Sequence, residues 1–239
     1  MKTTTLRNLT IWLRAQSLGS KRARCPRSGG LGLGLALLCS TLAAGGETRY
    51  VNLNNPTPAS PYTSWATAAT HIQHAIDVAV AGDEIVVTNG VYATGGRAVF
   101  GTMTNRVVLD KAVTVRSVNG PLLTVIEGCA GAGWLGNGNG AIRCVYVGTN
   151  AVLSGFTLTN GHTRTDGDWD WERSGGGAWC EPSGVVSNCT VSGNSASYYG
   201  GGAYYGTLNH CTVSGNSADW RGGGAYYGTL NHCTVSGNS

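Results

Sequence analysis

Apolar residues are spaced in two different ways along the chain, at helical steps near residue 70 and in short β-branched runs after it. Steps of three and four predict one amphipathic helix over about 64–81. Thr63 or Ser64 is expected to cap its start, and Gly82 to end it. The apolar positions that carry this prediction are Trp65, Ala68, Ala69, Ile72, Ala75, Ile76, Ala79 and Val80.

After this helix, the apolar runs are strand-sized and separated by glycine or asparagine. The first is Ile85–Val87, which Asn89 and Gly90 close. Four more follow at 112–118, 122–128, 141–148 and 151–161. Their β-branched content and turn residues predict strands and no second helix. The fold class predicted is therefore all-β.

A 22-residue repeat occupies the last part of the chain. The eighteen residues Gly200–Ser217 recur unchanged at Gly222–Ser239. A unit this short cannot bury its own apolar face, so neighbouring units are expected to stack as β-coils about 4.8 Å apart. Aligned copies give three apolar columns, which are Leu153, Val186, Leu208 and Leu230; Phe156, Cys189, Cys211 and Cys233; and Leu158, Val191, Val213 and Val235.

Three further features of the repeat have structural interpretations. The column of Cys189, Cys211 and Cys233 has a spacing that suits a disulfide, but its inward direction favours free thiols packed as small apolar groups. Stacked asparagine amides at 194, 216 and 238 are expected to hydrogen-bond along the axis. His210 and His232 share a column with Gly155 and Asn188, which favours a turn with positive φ over a metal site.

The segments follow a distinctive order: the helix, then GDEIVVTNGVY from Gly82, then AVTVRSVNGPLLTVIEG from Ala112, then glycine-rich coils. Gly-Gly-Ala motifs at 176–178, 201–203 and 223–225 each precede a Val-Ser-Gly-Asn. The order resembles the right-handed parallel β-helix proteins of the pectate-lyase-like group. The motifs resemble repeats of polymorphic outer-membrane proteins and autotransporter-type adhesins. The resemblance implies a right-handed parallel β-helix with an N-terminal capping helix, and leaves the activity open.

Residues 1–46 have the pattern of a secretory signal peptide. Seven basic residues precede Glu47, the first acidic residue, and the apolar run Leu31–Gly45 is shorter than the ~20 residues of a membrane span. We expect cleavage near Ala44 or Gly46; a misplaced start and an uncleaved anchor are the alternatives. The remaining chain has nine basic and twelve acidic residues and no basic patch, which argues against nucleic acid as a partner.

The charged segment His162–Ser174 interrupts the repeat and contains most of the candidate chemistry. Calcium is the candidate cofactor, because four acidic side chains lie at alternate positions; pairing with nearby arginines is the alternative. The candidate ligands are Asp166, Asp168, Asp170 and Glu172. Flat rings for sugar binding are provided by Trp169 and Trp171, and by Trp220 within an aromatic surface that also includes Tyr198, Tyr199, Tyr204, Tyr205, Tyr226 and Tyr227.

Two function classes are consistent with these features. The repeats contain no acid, base or nucleophile at a recurring position, which favours an exported, adhesin-like structural or binding module for a polysaccharide or a surface glycoprotein. The alternative is a carbohydrate-active lyase or hydrolase, with Arg164 and Arg173 as catalytic candidates.

The domains expected are a signal peptide (1–46), a cap and first coil (47–111), and coils over 112–239 that stop within a repeat, as in a fragment.

Overall fold

The computed structural model describes residues 46–239, so the predicted signal peptide lies outside the described residues up to position 45. The described part is an all-β fold of short strands with few helical residues. In chain order the elements are β1 (Thr48–Val51), α1 (Ile72–Val78), β2 (Glu84–Val87), β3 (Gly90–Tyr92), β4 (Arg97–Ala98), β5 (Thr104–Leu109), β6 (Thr114–Ser117), β7 (Thr124–Glu127), β8 (Ile142–Val147), β9 (Val152–Ser154), β10 (Thr157–Thr159), β11 (Ala178–Cys180), β12 (Val185–Ser187), β13 (Thr190–Ser192), β14 (Ser195–Ala196), β15 (Ala203–Tyr204), β16 (Thr207–Asn209), β17 (Thr212–Ser214), β18 (Ser217–Ala218), β19 (Ala225–Tyr226), β20 (Thr229–Asn231) and β21 (Thr234–Ser236).

The strands form three long sheets and one short pair. Sheet 1 has the order β1-β2-β6-β9-β12-β16-β20, sheet 2 the order β3-β7-β10-β13-β17-β21, and sheet 3 the order β4-β5-β8-β11-β15-β19, while β14 pairs with β18. Neighbouring coils pair in parallel, whereas β4 and β5 are antiparallel. Each repeat adds one strand to each long sheet, a stacked parallel arrangement compatible with a β-helix.

Strand register confirms the predicted apolar columns. In sheet 1, Leu208 pairs with Val186 on one side and with Leu230 on the other. In sheet 2, Val191 pairs with Val213. Leu208 and Val213 are fully buried. The 22-residue step therefore places like side chains above one another in a continuous core.

The helical prediction over 64–81 is wrong outside the seven residues of α1. A separate 3₁₀ turn spans Trp65–Thr67, and Ser64 caps it through a 3.3 Å bond from the Thr67 N–H. Between these elements Ala69 is extended, because its N–H donates to the Tyr50 carbonyl of β1 at 2.9 Å. The helix ends before Gly82. Within the described residues no helix is long and apolar enough to cross a membrane.

A ladder of asparagine amides runs through the coils, as predicted. The Nδ2 of Asn194 donates to Oδ1 of Asn216 at 2.9 Å, and Nδ2 of Asn216 donates to Oδ1 of Asn238 at 2.9 Å. The same two oxygens accept the backbone N–H groups of Asn194 and Asn216 at 3.1 and 3.0 Å. Each amide oxygen therefore joins two coils through two bonds.

The cysteine column and the turn column both have the structure predicted from the sequence, with free thiols in the first and positive φ in the second. The six cysteines of the described residues are free thiols. Cys189 and Cys211 are buried, and the Cys211 N–H donates to the Cys233 sulfur at 3.5 Å. The turn column has positive φ throughout, at 82° for Gly155, 50° for Asn188, 55° for His210 and 54° for His232.

The Gly-Gly-Ala motifs lie where successive coils approach most closely. A Cβ added to Gly201 or Gly202 would collide with a carbonyl oxygen of the next coil, from Ser217 or Gly224. Only glycine fits such an approach. The alanine that follows, Ala203, is buried in sheet 3. Close packing of backbones therefore explains the motif without any ligand.

Candidate functional site

Sheet 3 carries a column of aromatic rings that forms an apolar cluster separate from the main core. Trp179 pairs in register with Tyr146 on one side and with Tyr204 on the other. The Tyr146 and Trp179 rings stack with centroids 5.5 Å apart, and those of Tyr204 and Tyr226 lie 6.3 Å apart. Tyr204 is fully buried, so it is one of the aromatic residues of the repeat that pack inward and adds no accessible ring to the surface.

The loop 162–174 packs against this column. Trp171 stacks on Trp179 with centroids 4.4 Å apart and lies 3.9 Å from the Phe100 ring. The Trp179 Nε1–H donates to the Asp170 carbonyl at 2.9 Å, and the Tyr204 hydroxyl donates to the Asp170 carboxylate. Trp171 is partly buried and its ring packs on Trp179 and Phe100, while sugar binding by Trp171 stays a prediction from the sequence.

Glu172 anchors the same loop to a distant part of the chain. Its buried Oε1 accepts the Thr102 N–H at 2.7 Å and the Thr102 hydroxyl at 3.0 Å. Burial acts to raise the pKa of Glu172, but these hydrogen bonds outweigh it and lower the pKa. Glu172 is therefore an ionised structural acid that positions the loop.

The other three candidate calcium ligands face different protein donors. Oδ1 of Asp168 accepts the backbone N–H groups of Asp170 and Trp171 at 2.8 and 3.0 Å, and Asp166 pairs with Arg164 at 2.7 Å. Within 46–239, no three or more histidine, cysteine or acidic side chains are arranged to hold a metal ion. The structure thus does not gather the four acids into one cluster, and calcium binding stays a prediction from the sequence.

The side chains of the two catalytic candidates contact different protein groups. Arg164 donates to Asn139 at 3.0 Å as well as pairing with Asp166. The Arg173 guanidinium lies 5.1 Å from the Tyr198 ring centroid, and its Nε donates to the Ser197 hydroxyl at 3.4 Å. Arg164 thus braces the loop, while Arg173 lies beside an aromatic ring.

A buried arginine that the sequence analysis missed holds the other end of the loop. Arg143 on β8 donates to the Trp171, Ser174 and Gly175 carbonyls at 2.9, 2.7 and 2.7 Å, and to Oδ1 of Asn105 at 2.8 Å. Burial lowers its pKa to about 9. An arginine inside the apolar run AIRCVYV was the available signal, because a buried charge needs several partners.

Three rings near the loop form an exposed aromatic strip, defined as Trp169, Tyr198 and Trp220. Trp169 and Trp220 are 49% and 60% exposed. The Tyr198 centroid lies 5.8 Å from each of them, and its ring is stacked on Trp220 at 19°. Since Tyr198 is only half-exposed, the more accessible ring area belongs to the two tryptophans.

A cavity of about 260 Å³ beside α1 was also missed from the sequence. The His71 and His74 rings at its edge have centroids 4.7 Å apart, and Asp77 pairs with Arg97 at 2.6 Å. Burial, and then the proximity of His74, lowers the pKa of His71. The segment HIQHAID spaces His71, His74 and Asp77 at steps of three, a sequence pattern that could have indicated this part of the chain. In the structure, His71 lies directly before α1 in extended backbone.

Compared with protein-family models, curated proteins and solved structures, the chain has no significant match in any of the three.

Proposed function

We propose that the chain is an exported, adhesin-like module that binds glycans carried by a polysaccharide or a surface glycoprotein. In this proposal the stacked sheets form a right-handed parallel β-helix, and α1 caps its first coil. Export is inferred from the leader pattern of residues 1–46. The observation that carries the binding proposal is the exposed aromatic strip.

The chemistry of the strip suits a sugar ligand. Indole rings provide flat apolar faces, and Trp169 and Trp220 keep about half or more of their surface accessible. Arg173 lies beside Tyr198 and can donate hydrogen bonds to hydroxyl or carboxylate oxygens. Because both tryptophan rings lie 5.8 Å from the Tyr198 ring, an extended glycan can contact both, and the two contacts reinforce each other.

Affinity electrophoresis against a panel of soluble polysaccharides tests this proposal. We expect Trp169→Ala and Trp220→Ala each to weaken binding about tenfold or more, equivalent to about 1.4 kcal/mol. Trp134→Ala is the matched control, because Trp134 is 80% exposed and lies outside the strip. The proposal is refuted if no polysaccharide retards the protein, or if Trp134→Ala weakens binding as much as the strip variants do.

A further inference from the structure

The cavity beside α1, here called the α1 cavity, has the lining of a small-molecule site. Its volume is about 260 Å³. Ile72, Tyr92 and Val107 provide apolar lining, and His71 and His74 provide imidazoles. Cavities that combine apolar walls with a few polar groups are the usual form of ligand sites.

The charge of the lining favours an anion over a cation. Arg97 and Arg106 line the cavity against a single acid, Asp77. Arg106 is fixed in place, because it donates to the Glu127 carbonyl at 2.7 Å and the Gly128 carbonyl at 3.2 Å. Arg97 is partly exposed and pairs with Asp77, so a ligand can reach it. With both imidazoles neutral, the lining still carries one net positive charge.

The two imidazoles add a second, pH-dependent attraction. His71 Nδ1 forms a 3.1 Å hydrogen bond with the Thr70 hydroxyl, which leaves Nε2 for a ligand. At 4.7 Å between centroids, two protonated rings would repel each other, and an anion between them would offset that repulsion. The cavity lining contains four other titratable or charged groups, which are Asp77, Tyr92, Arg97 and Arg106. Two more lie nearby: Asp110 pairs with Arg97, and Lys111 donates to carbonyls at the end of α1.

We propose that the α1 cavity binds a small carboxylic acid. The carboxylate lies among His71, His74 and Arg97, and the body of the ligand packs on Ile72 and Tyr92. Binding takes up a proton, because the carboxylate stabilises a charged imidazole. Because binding takes up a proton, the affinity rises as the pH falls.

Isothermal titration calorimetry with matched sugars tests the ligand class. D-glucuronate and D-glucose are similar in size and differ by a carboxylate in place of a hydroxymethyl group. We expect glucuronate to bind at least tenfold more tightly than glucose, and about tenfold more tightly at pH 5.5 than at pH 7.5. Acetate binding with the same pH trend supports carboxylate recognition. Equal binding of the two sugars, no binding of glucuronate at millimolar concentration, or binding of inorganic phosphate alone overturns it.

Variants locate the site and separate it from the aromatic strip. We expect Arg97→Gln to weaken glucuronate binding about tenfold and His74→Gln to reduce its pH dependence. Arg221→Gln is the matched control, because Arg221 is exposed and lies outside the cavity lining. Trp169→Ala should leave glucuronate binding unchanged, even if it abolishes polysaccharide binding. An unchanged affinity in Arg97→Gln overturns the proposal.

A measurement on the unmodified protein removes any dependence on the folding of variants. Glucuronate should shift the NMR ring signals of His71 and His74 more than those of His210 and His232, which stack on each other elsewhere in the repeat. Equal shifts at all four histidines would contradict binding in the α1 cavity.

Discussion

Asn216→Leu tests whether the asparagine ladder holds successive coils together. The Asn216 amide is buried, and five partner atoms lie 2.9–3.2 Å from it. Its two Nδ2 hydrogens are shared among the carbonyls of Val191 and Ser214 and Oδ1 of Asn238, while its Oδ1 accepts from the N–H and the Nδ2 of Asn194, so all four hydrogen-bonding positions of the amide are used. Leucine has the same branched shape but can neither donate nor accept, so all of these bonds are lost.

The expected loss of stability follows from these bonds. A buried hydrogen bond contributes about 1 kcal/mol net, and a partner left unsatisfied costs about 1–3 kcal/mol. The four hydrogen-bonding positions of the amide therefore predict a loss of about 4 kcal/mol. For a domain of this size, 1 kcal/mol corresponds to about 2–4 °C in Tm, so Tm should fall by about 8–16 °C.

Thermal unfolding followed by far-UV circular dichroism measures the effect. Asn209→Ala is the matched control in the same coil, because Asn209 is half-buried and its side chain accepts one exposed bond of 2.9 Å from Asn231. The control should change stability by less than about 0.5 kcal/mol. Equal melting of Asn216→Leu and Asn209→Ala would refute the view that the ladder stabilises the stack.

Three further outcomes are expected. Burial acts to raise the pKa of Asp83, but hydrogen bonds from two backbone N–H groups and a buried arginine lower the pKa overall. The ionised Asp83 therefore stabilises the fold fully above about pH 4, and this stabilisation is lost as the pH falls through the folded-state pKa. In thermal melts from pH 7 to pH 2, Asp83→Asn should lose less stability on acidification than the unmodified protein. Burial raises the pKa of Cys144 and Cys180 to about 12, so mass spectrometry after brief iodoacetamide treatment of the native protein should find exposed Cys129 labelled and these two unlabelled. Arg143→Met should free the loop 162–174 and shift tryptophan emission to longer wavelength, while the far-UV spectrum, which reports the sheets, stays unchanged; an unshifted emission would contradict the anchoring role.

The repeat made the stacking register predictable, whereas local periodicity misjudged the first coil. The 22-residue spacing places Leu208 between Val186 and Leu230, as the aligned columns predicted. Near residue 70, by contrast, the apolar residues at helical spacing include both α1 and the extended residue Ala69, which pairs with β1. Hydrogen bonding of Ala69 to Tyr50 decides between them, and that contact is not encoded in the spacing.

Residue types and their spacing were enough to predict the layers of this protein, namely the short strands, the coil length, the inward cysteines, the asparagine ladder and the positive-φ turns. These features recur along the repeats, and contacts between neighbouring coils are enough to form them. Which aromatic rings are accessible and where a cavity forms depends instead on contacts between distant parts of the chain. Trp171 is packed because Glu172 bonds to Thr102, 70 residues away, and because Arg143 binds the loop carbonyls. Such contacts join unique residues far apart in the chain, so no local pattern or repeat can predict them.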